Sequence, residues 1–260
     1  MDVNLSHRSQ WVGINGAPQT QLLSLHAPIM QKKVGLGLQI SNDRIGPRKV
    51  LGLNTAYAYH IKMKKAKIGF GLRAGAYHYT YDWQALTYEN KEDAVIGVGK
   101  ENTLVLNFDF GAYYRSKLNY AGIELAHLNQ AKIYLGDKDS ITDKVAHLYP
   151  SLSVFYGHAF EINKKLVLKT SILARSVSGN HYLDLNASVL INQFLWLGTS
   201  YKSVGILALI TKVKVTKKLN IGYSYDYPFA KTFLGKASHE VFLGYNISIF
   251  KDEGLSPRFF

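Results

Sequence analysis

Apolar and polar residues alternate with a period of two through most of the chain, in segments of about ten residues bounded by turn-forming residues. A pattern of period two places successive side chains on opposite faces of an extended strand, and helical periodicity is nearly absent. The alternation predicts fourteen strands: 2–11, 19–27, 34–42, 50–61, 68–80, 103–114, 118–127, 148–160, 166–176, 182–191, 194–201, 204–210, 219–227 and 239–249. In 219–227, Leu219, Ile221, Tyr223, Tyr225 and Tyr227 share one face, and Asn220, Gly222, Ser224 and Asp226 the other. In 50–61, Leu51, Leu53, Tyr57, Tyr59 and Ile61 oppose Gly52, Asn54, Ala56, Ala58 and His60.

Charge sharpens this pattern. Ten Asp, Glu, Lys or Arg residues fall inside these segments: Asp2, Arg8, Arg73, Asp109, Glu124, Lys169, Arg175, Asp184, Asp226 and Glu240. All ten lie on the polar parity of their strand, so the other face is free of charge in every strand. A soluble sandwich also alternates, but a continuous uncharged face suits lipid. There an Arg or Lys at the bilayer midplane costs about 2–4 kcal/mol. The expected fold is therefore all-β: a transmembrane antiparallel β-barrel of about fourteen strands, one domain over 1–250, with a C-terminal tail at 251–260. Alternate connections are short and the long ones, 81–102 and 128–147, share the opposite end. Outer-membrane barrels show this asymmetry between periplasmic turns and external loops. An even strand number puts both termini at the short-turn, periplasmic side.

Composition closes off other classes. The chain has no cysteine, which excludes disulfide scaffolds, thiolate metal sites and thiol nucleophiles. It is 47% hydrophobic and 19% charged, too apolar for a disordered chain. No apolar run reaches the length of a membrane helix; Val204–Ile210 is the longest comparable stretch. Gly69-Phe70-Gly71 with Gly75 resembles a dinucleotide fingerprint but lies within one strand, where glycine marks close approach of neighbouring groups. Gly97-Val98-Gly99-Lys100 continues with Glu101 and is not a P-loop. Asp137, Asp139 and Asp143 have the spacing of a calcium loop without its glycine and closing glutamate. No HExxH and no G-x-S-x-G occurs. The expectation is a protein without enzymatic activity, metal or cofactor.

Several motifs carry a resemblance. The first is His7-Arg8-Ser9-Gln10-Trp11-Val12-Gly13, followed by Gly16-Ala17-Pro18-Gln19-Thr20 and Leu23-Ser24-Leu25-His26-Ala27-Pro28-Ile29. Then come Gly35-Leu36-Gly37-Leu38, Asn42-Asp43-Arg44-Ile45-Gly46-Pro47, Tyr57-Ala58-Tyr59 and Gly71-Leu72-Arg73-Ala74-Gly75. The end carries Gly222-Tyr223-Ser224-Tyr225-Asp226-Tyr227, Ser238-His239-Glu240-Val241 and Ser256-Pro257-Arg258-Phe259-Phe260. Together they resemble the PorP/SprF family of Bacteroidota outer-membrane proteins, most strongly over 7–77 and 219–260. The resemblance implies a β-barrel of the type IX secretion and gliding-motility machinery. Such a barrel would assist export or surface anchoring of a large adhesin, and would be linked to the periplasmic ring of the secretion apparatus. It also implies residence in the cell outer membrane and a signal peptide ahead of the present start, which reads as truncated. The alternatives are a passive porin and, more remotely, a soluble basic β-protein that binds nucleic acid. The favoured partners are an exported adhesin or other type IX cargo, the periplasmic ring and outer-membrane lipid, with no nucleic acid.

Four groups of residues are candidates, beside Trp11 in a structural role. Arg8, Arg73, Asp109, Glu124, Lys169, Arg175, Asp226 and Glu240 would line the lumen, either pairing across it or binding a peptide. Asp43, Arg44 and Arg48 would lie in an external turn from Asn42-Asp43 to Gly46-Pro47, as turn chemistry or as a contact for cargo. Trp11 would anchor at the membrane interface. Arg258, Phe259 and Phe260 would contact the secretion ring or the lower mouth of the barrel. The last group concerns the net charge of +13. Lys32, Lys33, Lys62, Lys64, Lys65, Lys164, Lys165, Lys217 and Lys218 fall at the short turns. With Lys67, Arg115, Lys117, Lys212 and Lys214 they make fourteen bases against one acid, Glu161. That surplus equals the net charge of the chain. It reads as a periplasmic collar facing anionic headgroups or an acidic protein surface.

Overall fold

The computed structural model describes residues 1–30, 33–86, 99–135, 144–230 and 235–247. Alternation becomes strand at each expected place. The strands are β1 (Asp2–Ser9), β2 (Gln19–Ile29), β3 (Val34–Ile45), β4 (Arg48–Lys62), β5 (Ala66–Asp82), β6 (Lys100–Ser116), β7 (Asn119–Ala126), β8 (Lys132–Leu135) and β9 (Lys144–His147). They continue as β10 (Ser151–Glu161), β11 (Leu166–Val177), β12 (Asn180–Ile191), β13 (Leu195–Lys202), β14 (Ile206–Lys214), β15 (Leu219–Pro228) and β16 (Ser238–Asn246). All but β8 and β9 form one closed antiparallel barrel of fourteen strands in meander order, with β7 beside β10. Closure joins the chain ends: β1 pairs with β16 from Asp2↔Asn246 to Ser9↔His239. No helix among the described residues is long and apolar enough to cross a membrane.

The two faces separate as the parity requires. On β4, Leu51, Leu53, Tyr57, Tyr59 and Ile61 are exposed on the outer wall, while Val50, Gly52 and Asn54 are buried inside. On β6, Leu104, Leu106 and Phe108 face out, and Val105, Asn107 and Asp109 face in. Exposed aliphatic and aromatic side chains on a closed wall form a surface stable in lipid rather than in water. Strands β3 to β6 run past the expected bounds, and their extensions show where the lipid belt stops. Outward charge on the described barrel strands is confined to Arg44, Lys49, Asp82 and Lys100, all at the long-loop end. Arg44 stands opposite Lys49, and Lys100 Nζ bonds Asp82 at 3.2 Å.

Inside, glycines make room for rings laid flat against the wall. A Cβ on Gly122 would stand 2.2 Å from the Phe155 ring, and one on Gly157 would stand 2.2 Å from the Tyr120 ring. Tyr113, Tyr120 and Phe155 then pack with centroids 6.0–6.4 Å apart. Gly75, part of the supposed nucleotide motif, does the same for Asn54 and Tyr77. An apolar cluster of Ala159, Val167 and Leu190, with Leu118 and Trp196 against it, fills the interior wall near the short turns.

Three sequence expectations shift. The long connection 128–147 contains the hairpin β8–β9, which continues along the upper part of β6; Thr103 Oγ1 donates to the Tyr134 carbonyl at 2.5 Å. Its strands are four residues each, too short to show a period. The turn expected at 211–218 shrinks to 215–218, so Lys212 and Lys214 lie on β14. The first strand ends at Ser9, and Trp11 takes a left-handed conformation in the loop beyond it, at the long-loop end.

Candidate functional site

The interior charges gather in two nodes. In the first, Arg73 on β5 stands directly opposite Asp109 on β6. Its Nε donates to Asp109 Oδ2 at 2.5 Å and its Nη2 to Glu124 Oε1 on β7 at 3.1 Å. Asp109 is 3% exposed, so its second oxygen must also be satisfied. Asn107 Nδ2 and the His127 backbone N–H both donate to Oδ1 at 2.8 Å. Asn107 Oδ1 in turn bonds His127 Nδ1 at 2.6 Å.

The second node repeats the plan on the far wall. Arg8 on β1 forks between Asp226 Oδ2 on β15 at 2.6 Å and Glu240 Oε2 on β16 at 3.1 Å. Asp226 is 2% exposed. Lys202 Nζ reaches it over β14 at 3.0 Å, where inward Ala208 leaves space, and Ser224 Oγ donates at 3.3 Å. Going round the ring of fourteen, β6 and β15 are seven strands apart in either direction, so the nodes face each other across the bore.

Six of the eight candidate lumen charges thus meet in these two nodes, where they pair along the wall with near neighbours rather than across the interior. Lys169 and Arg175 face inward from β11, between the nodes; Arg175 Nε donates to Ser153 Oγ at 3.2 Å. Sequence reasoning missed Lys202, which lies one residue beyond its expected strand, and the uncharged Asn107 and His127, which carry no parity signal.

Asp43, Arg44 and Arg48 do not lie in a turn. They are ladder residues of β3 and β4, which meet in a two-residue connection at Gly46-Pro47, closed by the pair Ile45↔Arg48. Gly46 has φ +52° and Pro47 a fixed negative φ, the signature of a type II′ hairpin. Asn42 and Asp43 have turn composition, but ladder pairing prevails: Asn42 Nδ2 donates to Gln21 Oε1 at 3.0 Å and Asp43 accepts from Thr20 at 2.5 Å.

Above them the loop 10–18 is fastened across the closure of the barrel. Val12 N–H donates to the Ala237 carbonyl at 3.0 Å, Trp11 N–H to Ser238 Oγ at 3.3 Å, and Gly46 N–H to the Gly16 carbonyl at 2.8 Å. A recess beneath this loop is lined by Gln10, Val12, Asn15, Gln19 and Arg44. The motif Arg8-Ser9-Gln10-Trp11 therefore joins an interior node to a platform at the long-loop end within four residues.

At the opposite end, Lys33, Lys62, Lys64, Lys65, Lys164, Lys165, Lys217 and Lys218 lie at or beside the short turns. Lys117 Nζ bonds Glu161 at 3.0 Å. Lys32 and the tail residues Arg258, Phe259 and Phe260 lie outside the described residues, as do Asp137, Asp139 and Asp143.

Solved structures share the architecture. The Acinetobacter baumannii outer membrane protein Omp33 superposes with a TM-score of 0.55 at 7% identity, covering 95% of this chain and 98% of its own. The Ralstonia pickettii toluene transporter TbuX gives 0.55 at 13% identity, covering 94% and 87%. The Pseudomonas putida toluene transporter TodX gives 0.51 at 10% identity, again covering 94% and 87%. At such identities the likeness establishes the outer-membrane barrel fold alone. No protein of curated function matches the sequence. The family profile described as type IX secretion system membrane protein PorP/SprF matches residues 1–245, from the first barrel strand into the last. This outer-membrane β-barrel thus belongs to the PorP/SprF family of type IX secretion system membrane proteins.

Proposed function

We propose that the barrel is a non-enzymatic accessory of type IX secretion that assists export of a large adhesin or holds it at the cell surface, in secretion or in gliding. The observation that carries this reading is the fastened external platform. Loop 10–18 bonds to both Ala237 and Gly46, which orders a surface over the barrel's closure with Arg44 beneath it. An ordered surface loses little entropy on binding, which suits a docking face. Arg44 lines the recess under the loop, with Asp43 beside it on β3 and Arg48 across the hairpin on β4, and we assign the three to cargo contact. The basic short-turn end would meet the periplasmic ring or anionic headgroups. The tail 251–260 would add a contact on that side.

The test separates surface retention from barrel assembly. Arg44→Glu should leave barrel abundance in the outer membrane unchanged and shift cargo from the cell surface to the medium. Unchanged retention would sink the reading. Reversing Lys62, Lys64 and Lys65 to Glu should weaken co-purification with periplasmic partners more at low salt than at high.

A channel is the second reading, and one feature favours it: the interior ion pairs run along the wall and none of those described bridges the bore. Planar-bilayer recordings decide. A steady conductance would support the channel, and silence the anchor.

A further inference from the structure

On the outer wall of β1 to β4 the strand register sets three rows one above another. Leu5, Leu23, Ile40 and Leu53 stand abreast in the lipid-facing belt. Two residues nearer the long loops the row is His7, Gln21, Asn42 and Leu51. Two further on it is Ser9, Gln19, Arg44 and Lys49. Rows on one face are about 7 Å apart along a strand. Aliphatic wall thus gives way to amides and then to cations, the order in which a bilayer passes from hydrocarbon through its polar interface to charged headgroups.

Arg44 and Lys49 are both exposed, and they stand directly opposite each other. Like charges so placed repel, and an anion between them removes the repulsion. Among the described residues no ion pair or hydrogen bond holds either side chain. The outward acid at this end, Asp82, is engaged by Lys100 at 3.2 Å. A guanidinium takes two phosphate oxygens at once, and an ammonium beside it adds a point charge. Next to Arg44 is the recess under loop 10–18, about 390 Å³, with the amides of Gln10, Asn15 and Gln19 in its lining. Amides both donate to and accept from hydroxyls.

We propose that the outer wall of β1 to β4 binds one phosphorylated lipid of the leaflet on the long-loop side. Its phosphate lies between Arg44 and Lys49, its hydroxyl-bearing headgroup enters the recess under loop 10–18, and its acyl chains run along Leu23, Ile40 and Leu53. The occupant is a lipid rather than a free phosphate, because the cationic row faces outward and continues into the aliphatic wall. The site goes beyond the cargo reading and is tested without cargo.

Native mass spectrometry of the full chain in nonionic detergent, with dioleoylphosphatidylglycerol and dioleoylphosphatidylcholine as competing probes, tests this. The first lipid retained should be phosphatidylglycerol, preferred by roughly tenfold or more. The double substitution Arg44→Gln and Lys49→Gln should bring the preference to about twofold or less. Lys49→Gln alone, outside the residues assigned to cargo, should at least halve it. Lys132→Gln removes the same charge at the same end, on β8, and should leave it unchanged. The lipid-free double variant should be at least as heat-resistant as the parent, because it loses a like-charge pair; this keeps a folding defect distinguishable from a binding defect. Four outcomes would overturn the proposal: no preference in the parent, a preference that survives the double substitution, equal loss in Lys132→Gln, or displacement of the lipid by glycerol phosphate. A surviving preference would give the anionic lipid to the basic turns at the other end.

Discussion

The two interior nodes share a plan and differ in how they end. Each buries one aspartate, Asp109 or Asp226, and each uses an arginine to fork between that aspartate and a glutamate on an adjacent strand. The Asp109 node then closes with neutral donors, the Asn107 amide and the His127 backbone. The Asp226 node closes with a second cation, Lys202. The first node therefore carries one positive and two negative groups, and the second carries two of each. A buried carboxylate needs its lone pairs filled, and either dipoles or a second charge can fill them. Dipoles tie the site to local backbone, here the start of the β7–β8 connection. A second charge ties it to another strand, here β13.

The contrast can be broken at four places. Asp226→Asn should have the largest effect, because it leaves Arg8 and Lys202 facing one glutamate. A loss of about 3–5 kcal/mol is expected, the scale for removing one partner of a buried pair. Urea unfolding in lipid vesicles measures it. Asp109→Asn should cost less, about 2–3 kcal/mol, since Arg73 and Glu124 remain a balanced pair and the amide oxygen still accepts one bond. Asn107→Ala should cost about 1–2 kcal/mol and speed hydrogen exchange at the His127 and Leu128 amides, while leaving the far wall unchanged. Lys202→Gln should have the smallest effect, about 1 kcal/mol, and it should convert the second node to the charge count of the first. In that background Asp226→Asn should cost no more than Asp109→Asn. A cycle in which the two substitutions are additive would show that the second cation does not set the difference.

The candidate site was partly legible in the sequence. Arg8, Arg73, Asp109, Glu124, Asp226 and Glu240 are visible as interior charges because parity along one strand is a local property. Their partners are not visible. Arg73 and Asp109 are 36 positions apart, and Arg8 and Asp226 are 218 apart, so pairing depends on register between strands. The outward row Ser9, Gln19, Arg44 and Lys49 is hidden for the same reason: only the ladder sets its four members abreast on β1 to β4. Asn42-Asp43 misled because the same residues that begin turns also serve as ladder positions where strands rise above the lipid belt. The hairpin β8–β9 went unseen because four residues hold too few alternations to define a period.

By itself the sequence determined the fourteen barrel strands, the face each presents to lipid, and the end at which positive charge collects. These follow from side-chain direction along a strand, which needs no knowledge of any other strand. Tertiary structure alone decided closure, register and therefore partnership. Asp2 meets Asn246 only when the barrel closes, and a shift of one residue in register would exchange the faces of a strand and separate both nodes.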